Sequence, residues 1–210
     1  MPGLTGRADR TGSSGSRAIH TRRPAEAAAA RDTLARDGPL DGDPHPAGRA
    51  DVTRQLFLDC DGVLADFDAG AQAVLGMPPR AFQDRYGPGR FWKRLAAAPD
   101  FYFSLPLMPD AMELFDAVRH LDPIILTGLP RGSWAADQKV RWAAQHFPGT
   151  PIITTMARDK RDHAKPGDVL VDDTLKHRHL WEEVGGVFIH HTSAATSIEA
   201  LAAYFPLGAD

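Results

Sequence analysis

The chain has 210 residues, 43% of them hydrophobic and 24% charged, which suits one ordinary soluble domain with chain to spare. Its formal net charge is −3, so no bulk positive field argues for nucleic acid as a partner, and no apolar run approaches the roughly 20 residues that span a bilayer. The single cysteine, Cys60, allows no internal disulfide and makes a reducing, cytoplasmic setting the expectation.

Residues 1 to about 50 are rich in Gly, Ser, Arg, Pro, Ala and Asp, with Leu4, Ile19, Leu34 and Leu40 as isolated large apolar side chains. So little apolar area cannot offset the entropy lost on ordering, so a disordered tail is predicted, with a partner-binding arm as the other reading. Arg22-Arg23 leads into Pro24 and an Ala/Glu stretch rather than the apolar core of a signal peptide. The folded part is expected over residues 51–210.

That part begins with a strand at about 54–59. Leu56-Phe57-Leu58 is the continuous apolar run of a strand buried on both faces. It ends abruptly in Asp59-Cys60-Asp61-Gly62, which puts Asp59 at the C-terminal edge, where open α/β sheets bind ligands. In an extended chain Asp59 and Asp61 point to one side and Cys60 to the other. Two carboxylates so placed repel unless a cation or a shared proton relieves them, and Gly62 allows a sharp turn there. A helix at about 66–75, with Phe67, Ala71, Val74 and Leu75 on one face, is expected to stop at Met77-Pro78-Pro79. Residues 80–105 are crowded with aromatics, most of which should pack the core of this small insert.

Further on, helices are expected at about 110–120, 134–146 (with Ser133 as N-cap), 174–183 and 195–204. Strands are expected at 123–128, 151–154, 169–171 and 187–190, with a charged loop over 158–165. Strands separated by helices predict an α/β fold: a Rossmann-like parallel sheet with helices on both faces. Parallel strands then bring Asp59 with Asp61, Thr127, and Asp172 with Asp173 to one rim. His177 and His179, two apart on the expected helix, do not share a face and read as surface residues. Cys60 reads as a small buried apolar residue.

The run Asp59-Cys60-Asp61-Gly62-Val63-Leu64-Ala65-Asp66-Phe67 resembles the first motif of the haloacid dehalogenase (HAD) superfamily, nearest its 5'(3')-deoxyribonucleotidase-like branch. Lys139-Val140-Arg141-Trp142 also resembles that branch. In order along the chain, Thr127 resembles the second motif, Lys160 (with Lys165 as the alternative) the third, and Asp172-Asp173 the fourth. The resemblance implies a small helical cap over the active site, inserted after the first strand at about 66–105. It implies Asp59 as the nucleophile that forms an aspartyl-phosphate, and Asp61 as general acid and base. Thr127 and the amide of Gly128 would bind phosphate, and Lys160 or Lys165 would offset its charge. Mg²⁺ would be held by Asp59, the Asp61 carbonyl, and Asp172 or Asp173. The expected activity is a Mg²⁺-dependent phosphatase, a nucleotidase-like hydrolase whose small substrate sits with its base or sugar under Phe67 and a minority of the cap aromatics. The alternatives are a phosphatase for a sugar phosphate, another metabolite or a nucleic-acid 3' end, and an inactive protein that binds phosphate or nucleotide.

Overall fold

The computed structural model describes residues 54–207, so the tail expected over 1–50 lies outside the described residues. Five short strands form one parallel sheet: β1 (Leu56–Leu58), β2 (Ile124–Gly128), β3 (Ile152–Thr155), β4 (Val169–Asp172) and β5 (Val187–His190). Their order is β3-β2-β1-β4-β5. The chain winds outward from β1 through β2 to β3, then crosses back to β4, so the direction of winding reverses between β1 and β4. That gap, at the C-terminal ends of the strands, is where this architecture leaves a crevice for ligands.

The three apolar residues of β1 divide between the two faces as strand alternation requires. Leu56 and Leu58 join the main core, whereas Phe57 packs on the other face with Leu126, Leu170 and Trp181. The Phe57 and Trp181 rings meet edge-on, with centroids 5.5 Å apart. The sheet is thus an α/β layer structure with helices on both faces, as its pattern of strands and helices predicts.

The insert after β1 comprises α1 (Phe67–Leu75), α2 (Pro79–Tyr86) and α3 (Pro88–Ala96). The Asp66 side chain caps α1 by accepting the Ala69 N–H at 2.8 Å, and Gly76, in the left-handed region at φ 73°, ends it. Pro79 and Pro88 sit in the first turns of α2 and α3, where a missing N–H costs nothing. Phe67 is the hub of the insert's aromatic core, with the rings of Phe91, Trp92, Phe101 and Tyr102 all within 6.3 Å, centroid to centroid.

After the insert come α4 (Ala111–Val118), α5 (Ala136–His146), α6 (Arg178–Glu183) and α7 (Ala194–Leu201). Ser133 does not cap α5; the helix starts from Ala135, with no side-chain cap. The expected charged loop is a 3-10 turn, Ala157–His163. One face of α5 grips the chain as it leaves the insert. Gln138 accepts the Tyr102 N–H at 2.8 Å, and Trp142 donates its indole N–H to the Leu105 carbonyl at 2.8 Å. Arg141 pairs with Asp100 and lies over the Phe103 ring.

Candidate active site

A cavity of about 580 Å³ opens at the C-terminal ends of β1, β2 and β4, beneath the insert. Asp59 and Asp61 both line it, while Cys60 between them is buried in the core. Burial pushes the Cys60 thiol far above its ordinary range, so it is a packing residue rather than a nucleophile. The turn after Asp59 is held by the Leu64 and Ala65 N–H groups, which both donate to the Cys60 carbonyl at 2.8 Å.

Asp59 is braced through one oxygen. Its Oδ1 accepts the N–H of Cys60 at 2.8 Å and pairs with the Lys160 ammonium at 2.9 Å. Lys160, almost fully buried, also donates to Asp172 Oδ2 at 2.7 Å, and so bridges the ends of β1 and β4. Burial pulls the Lys160 pKa down, but Asp59 and Asp172 outweigh it and hold the group charged. The remaining oxygen of Asp172 accepts the Thr174 N–H at 2.8 Å. Asp173 accepts the Thr174 hydroxyl at 3.2 Å on Oδ1 and turns Oδ2 toward Gly62. Burial, then the charges of Asp59 and Asp172, raise the Asp173 carboxyl to about 6. Burial, then the charge of Asp59, raise the Asp172 carboxyl, with Lys160 opposing.

Oxygens of Asp59, Asp172 and Asp173 all lie within 4.8 Å of one another. Three hard oxygen donors gathered so closely could hold a metal ion. Gly62 makes the cluster possible, because a Cβ there would fall 2.6 Å from Asp173 Cγ.

Asp61 stands apart from this cluster. Its Oδ2 accepts a bond from the Lys139 ammonium at 2.7 Å, while its Oδ1 is buried with no hydrogen-bond partner among the described residues. Burial raises the Asp61 carboxyl, and the Lys139 charge opposes the rise. Lys139 itself is 1% exposed and also donates to the Thr127 hydroxyl at 2.9 Å. The Tyr102 ring covers its ammonium, with the centroid 4.4 Å away.

Of the residues expected at the site, Asp59, Asp61, Phe67, Gly128, Lys160, Asp172 and Asp173 line the cavity. Thr127 is fully buried behind the wall, its hydroxyl bonded to Lys139. Lys165 is exposed and away from the cavity; its backbone N–H donates to Asp168. His177 does line the cavity, although its sequence position suggested a plain surface residue. Lys139 was missed; the sequence marked it only by its place in a familiar-looking tetrapeptide. Trp92 and Tyr102 are the aromatics of the insert that stand beside Phe67 on the cavity wall.

No family model matches the chain, and no curated protein matches it. Among solved structures, the chain is similar to a HAD hydrolase of family IA, variant 3, from Entamoeba histolytica (17% identity over 71% of this chain and 88% of that one, TM-score 0.44). It is also similar to a HAD family hydrolase from Deinococcus radiodurans whose structure holds bound phosphate and sodium (16% identity over 70% of this chain and 87% of that one, TM-score 0.42).

Proposed function

We propose that this protein is a Mg²⁺-dependent phosphomonoester hydrolase of the HAD type that works through an aspartyl-phosphate on Asp59. The observation that carries this reading is the meeting of Asp59, Asp172 and Asp173 around one point, with Lys160 bridging two of them. Asp59, the Asp61 carbonyl, and Asp172 or Asp173 would hold the ion. When bound, it would neutralise phosphate charge so that an anionic nucleophile can approach.

The chain's own groups supply the rest. With Oδ1 of Asp59 committed to Cys60 and Lys160, Oδ2 is the oxygen left to attack phosphorus. Asp61 lines the cavity with its carboxyl part-exposed, as suits proton transfer to the departing alkoxide and then from the attacking water. Lys160 offsets the charge of Asp59 and of the phosphoryl group. Gly128, on the cavity wall at the end of β2, can offer its N–H to a phosphoryl oxygen.

The substrate is a small phosphomonoester, and within that class we favour a nucleoside monophosphate. Phe67, Tyr102 and the 40% exposed Trp92 give the cavity a flat aromatic side suited to a base. The test is phosphate release from a panel of deoxynucleotides, ribonucleotides and sugar phosphates, with Mg²⁺ and with a chelator. Release is expected only with the metal and is lost in Asp59→Asn. Full activity in Asp59→Asn would refute the nucleophile, and activity unaffected by the chelator would refute the metal. A preference for sugar phosphates would move the substrate reading to the alternative class.

A further inference from the structure

Lys139 is too deeply buried to reach a substrate, yet it touches two residues of the candidate chemistry at once. Its ammonium bonds Asp61 Oδ2 at 2.7 Å and Thr127 Oγ1 at 2.9 Å, tying the turn after β1 to β2. It does not line the cavity. Its methylene stem rises from α5, the helix whose neighbouring residues Gln138, Arg141 and Trp142 hold the insert's exit segment. Tyr102, which closes over the ammonium, belongs to that same exit segment.

Asp61 has two oxygens with different fates. Oδ2 is taken by Lys139, and Oδ1 is buried, unpartnered and on a residue that faces the cavity. A carboxyl group free to rotate would present either oxygen, or neither, in line with a departing group. A salt-bridged one presents a single oxygen in a fixed direction, which is what efficient proton transfer needs.

We infer that Lys139 is a positioning residue that fixes the direction of the Asp61 carboxyl through Oδ2 and so aims it for proton transfer. This rests on the phosphatase reading above. In the first step Asp59 Oδ2 forms a bond to phosphorus as the ester P–O bond breaks. The electron pair of that bond goes to the leaving oxygen, which takes the proton from the Asp61 carboxyl. A leaving group that departs readily as an anion needs that proton little; an alkoxide needs it fully.

The experiment compares kcat/KM, which reports only the steps through transfer to Asp59, for p-nitrophenyl phosphate and for an alkyl phosphomonoester with Mg²⁺ present. Lys139→Met removes the ammonium and keeps most of the stem. It is expected to lose about a hundredfold on the alkyl ester and less than about tenfold on p-nitrophenyl phosphate, in keeping with the usual worth of general acid catalysis. Asp61→Asn sets the pattern that the variant should reproduce. Should Lys139→Met not fold by circular dichroism, Lys139→Leu, also apolar and unable to donate a hydrogen bond, carries the same comparison. An equal loss on both esters, or no loss, overturns the inference while the phosphatase reading stands. A wild-type protein inactive on both esters overturns the phosphatase reading, and this inference with it.

Discussion

Gly62 and Asp173 come from opposite ends of the fold's working part and share one space: the position of a side chain on Gly62 is already filled by the Asp173 carboxylate. Gly62 also sits at φ 76°, where L side chains are strained. Gly62→Ala should therefore displace Asp173 rather than simply stiffen the turn. The direct backbone penalty is about 1–2 kcal/mol, which a folded domain tolerates. The larger effect should be on the metal site, with the half-activating Mg²⁺ concentration rising at least about tenfold, as for other losses of carboxylate placement around a metal. Titration of activity with Mg²⁺ checks this, and an unchanged midpoint would count against the assignment of Asp173 to the metal.

The raised Asp173 carboxyl predicts how pH acts on the metal-free protein. With a folded-state pKa of about 6, above the ordinary carboxylate range, the native form holds a proton that the unfolded chain has already released. This group's contribution therefore favours the native state at low pH and is lost as pH rises through about 6. Mg²⁺ needs the ionised carboxylate, so it should raise Tm more at about pH 7.5 than at about pH 5. Melting curves at the two pH values, with and without Mg²⁺, test this; an equal gain at both would argue against it.

Lys160 neutralises two buried carboxylates that would otherwise face each other unrelieved. Lys160→Met should cost the metal-free protein about 3–5 kcal/mol, the usual result of removing one partner from a buried ionic cluster. Mg²⁺ should restore part of that loss while activity stays low, because the metal replaces the charge but not the donor. Urea unfolding with and without Mg²⁺ separates the two effects.

The aromatic wall divides into a structural and an accessible part. Phe67 touches four rings, so Phe67→Ala should destabilise the insert by about 3 kcal/mol. Trp92 is 40% exposed at the cavity, so Trp92→Ala should change stability little. If a base stacks there, KM for a nucleotide should rise about tenfold in Trp92→Ala while KM for a sugar phosphate stays the same.

How much of this was legible beforehand varied with the distance over which each signal acts. The strand ending in Asp59 was readable because a continuous apolar run followed by acids and glycine is a local pattern with few structural solutions. The sheet followed from repeated strand and helix spacing. Of the insert, α1 was readable from its apolar face, but α2 and α3 only as an aromatic region, since Pro79 and Pro88 serve equally well to end one helix or to begin the next. Ser133 had the right chemistry for a cap, but the helix starts beyond it, at Ala135. Lys139 was marked only by the resemblance of Lys139-Val140-Arg141-Trp142, with no physical sign of its role. A lysine on an amphipathic helix reads as solvated, and only the folding of α5 across the ends of β1 and β2 brings its ammonium to Asp61 and Thr127. Thr127 was expected on the cavity wall, and the same contact draws its hydroxyl behind it.

The grip of α5 on residues 100–105 bears on protein engineering. Gln138, Arg141 and Trp142 form a socket that is matched to one particular lid, and Lys139 stands among them. A chimera that receives a foreign lid on this scaffold would inherit a mismatched socket and a loosened ammonium together. Exchanging lids to change substrate should therefore succeed only when the socket-bearing turns of α5 travel with them.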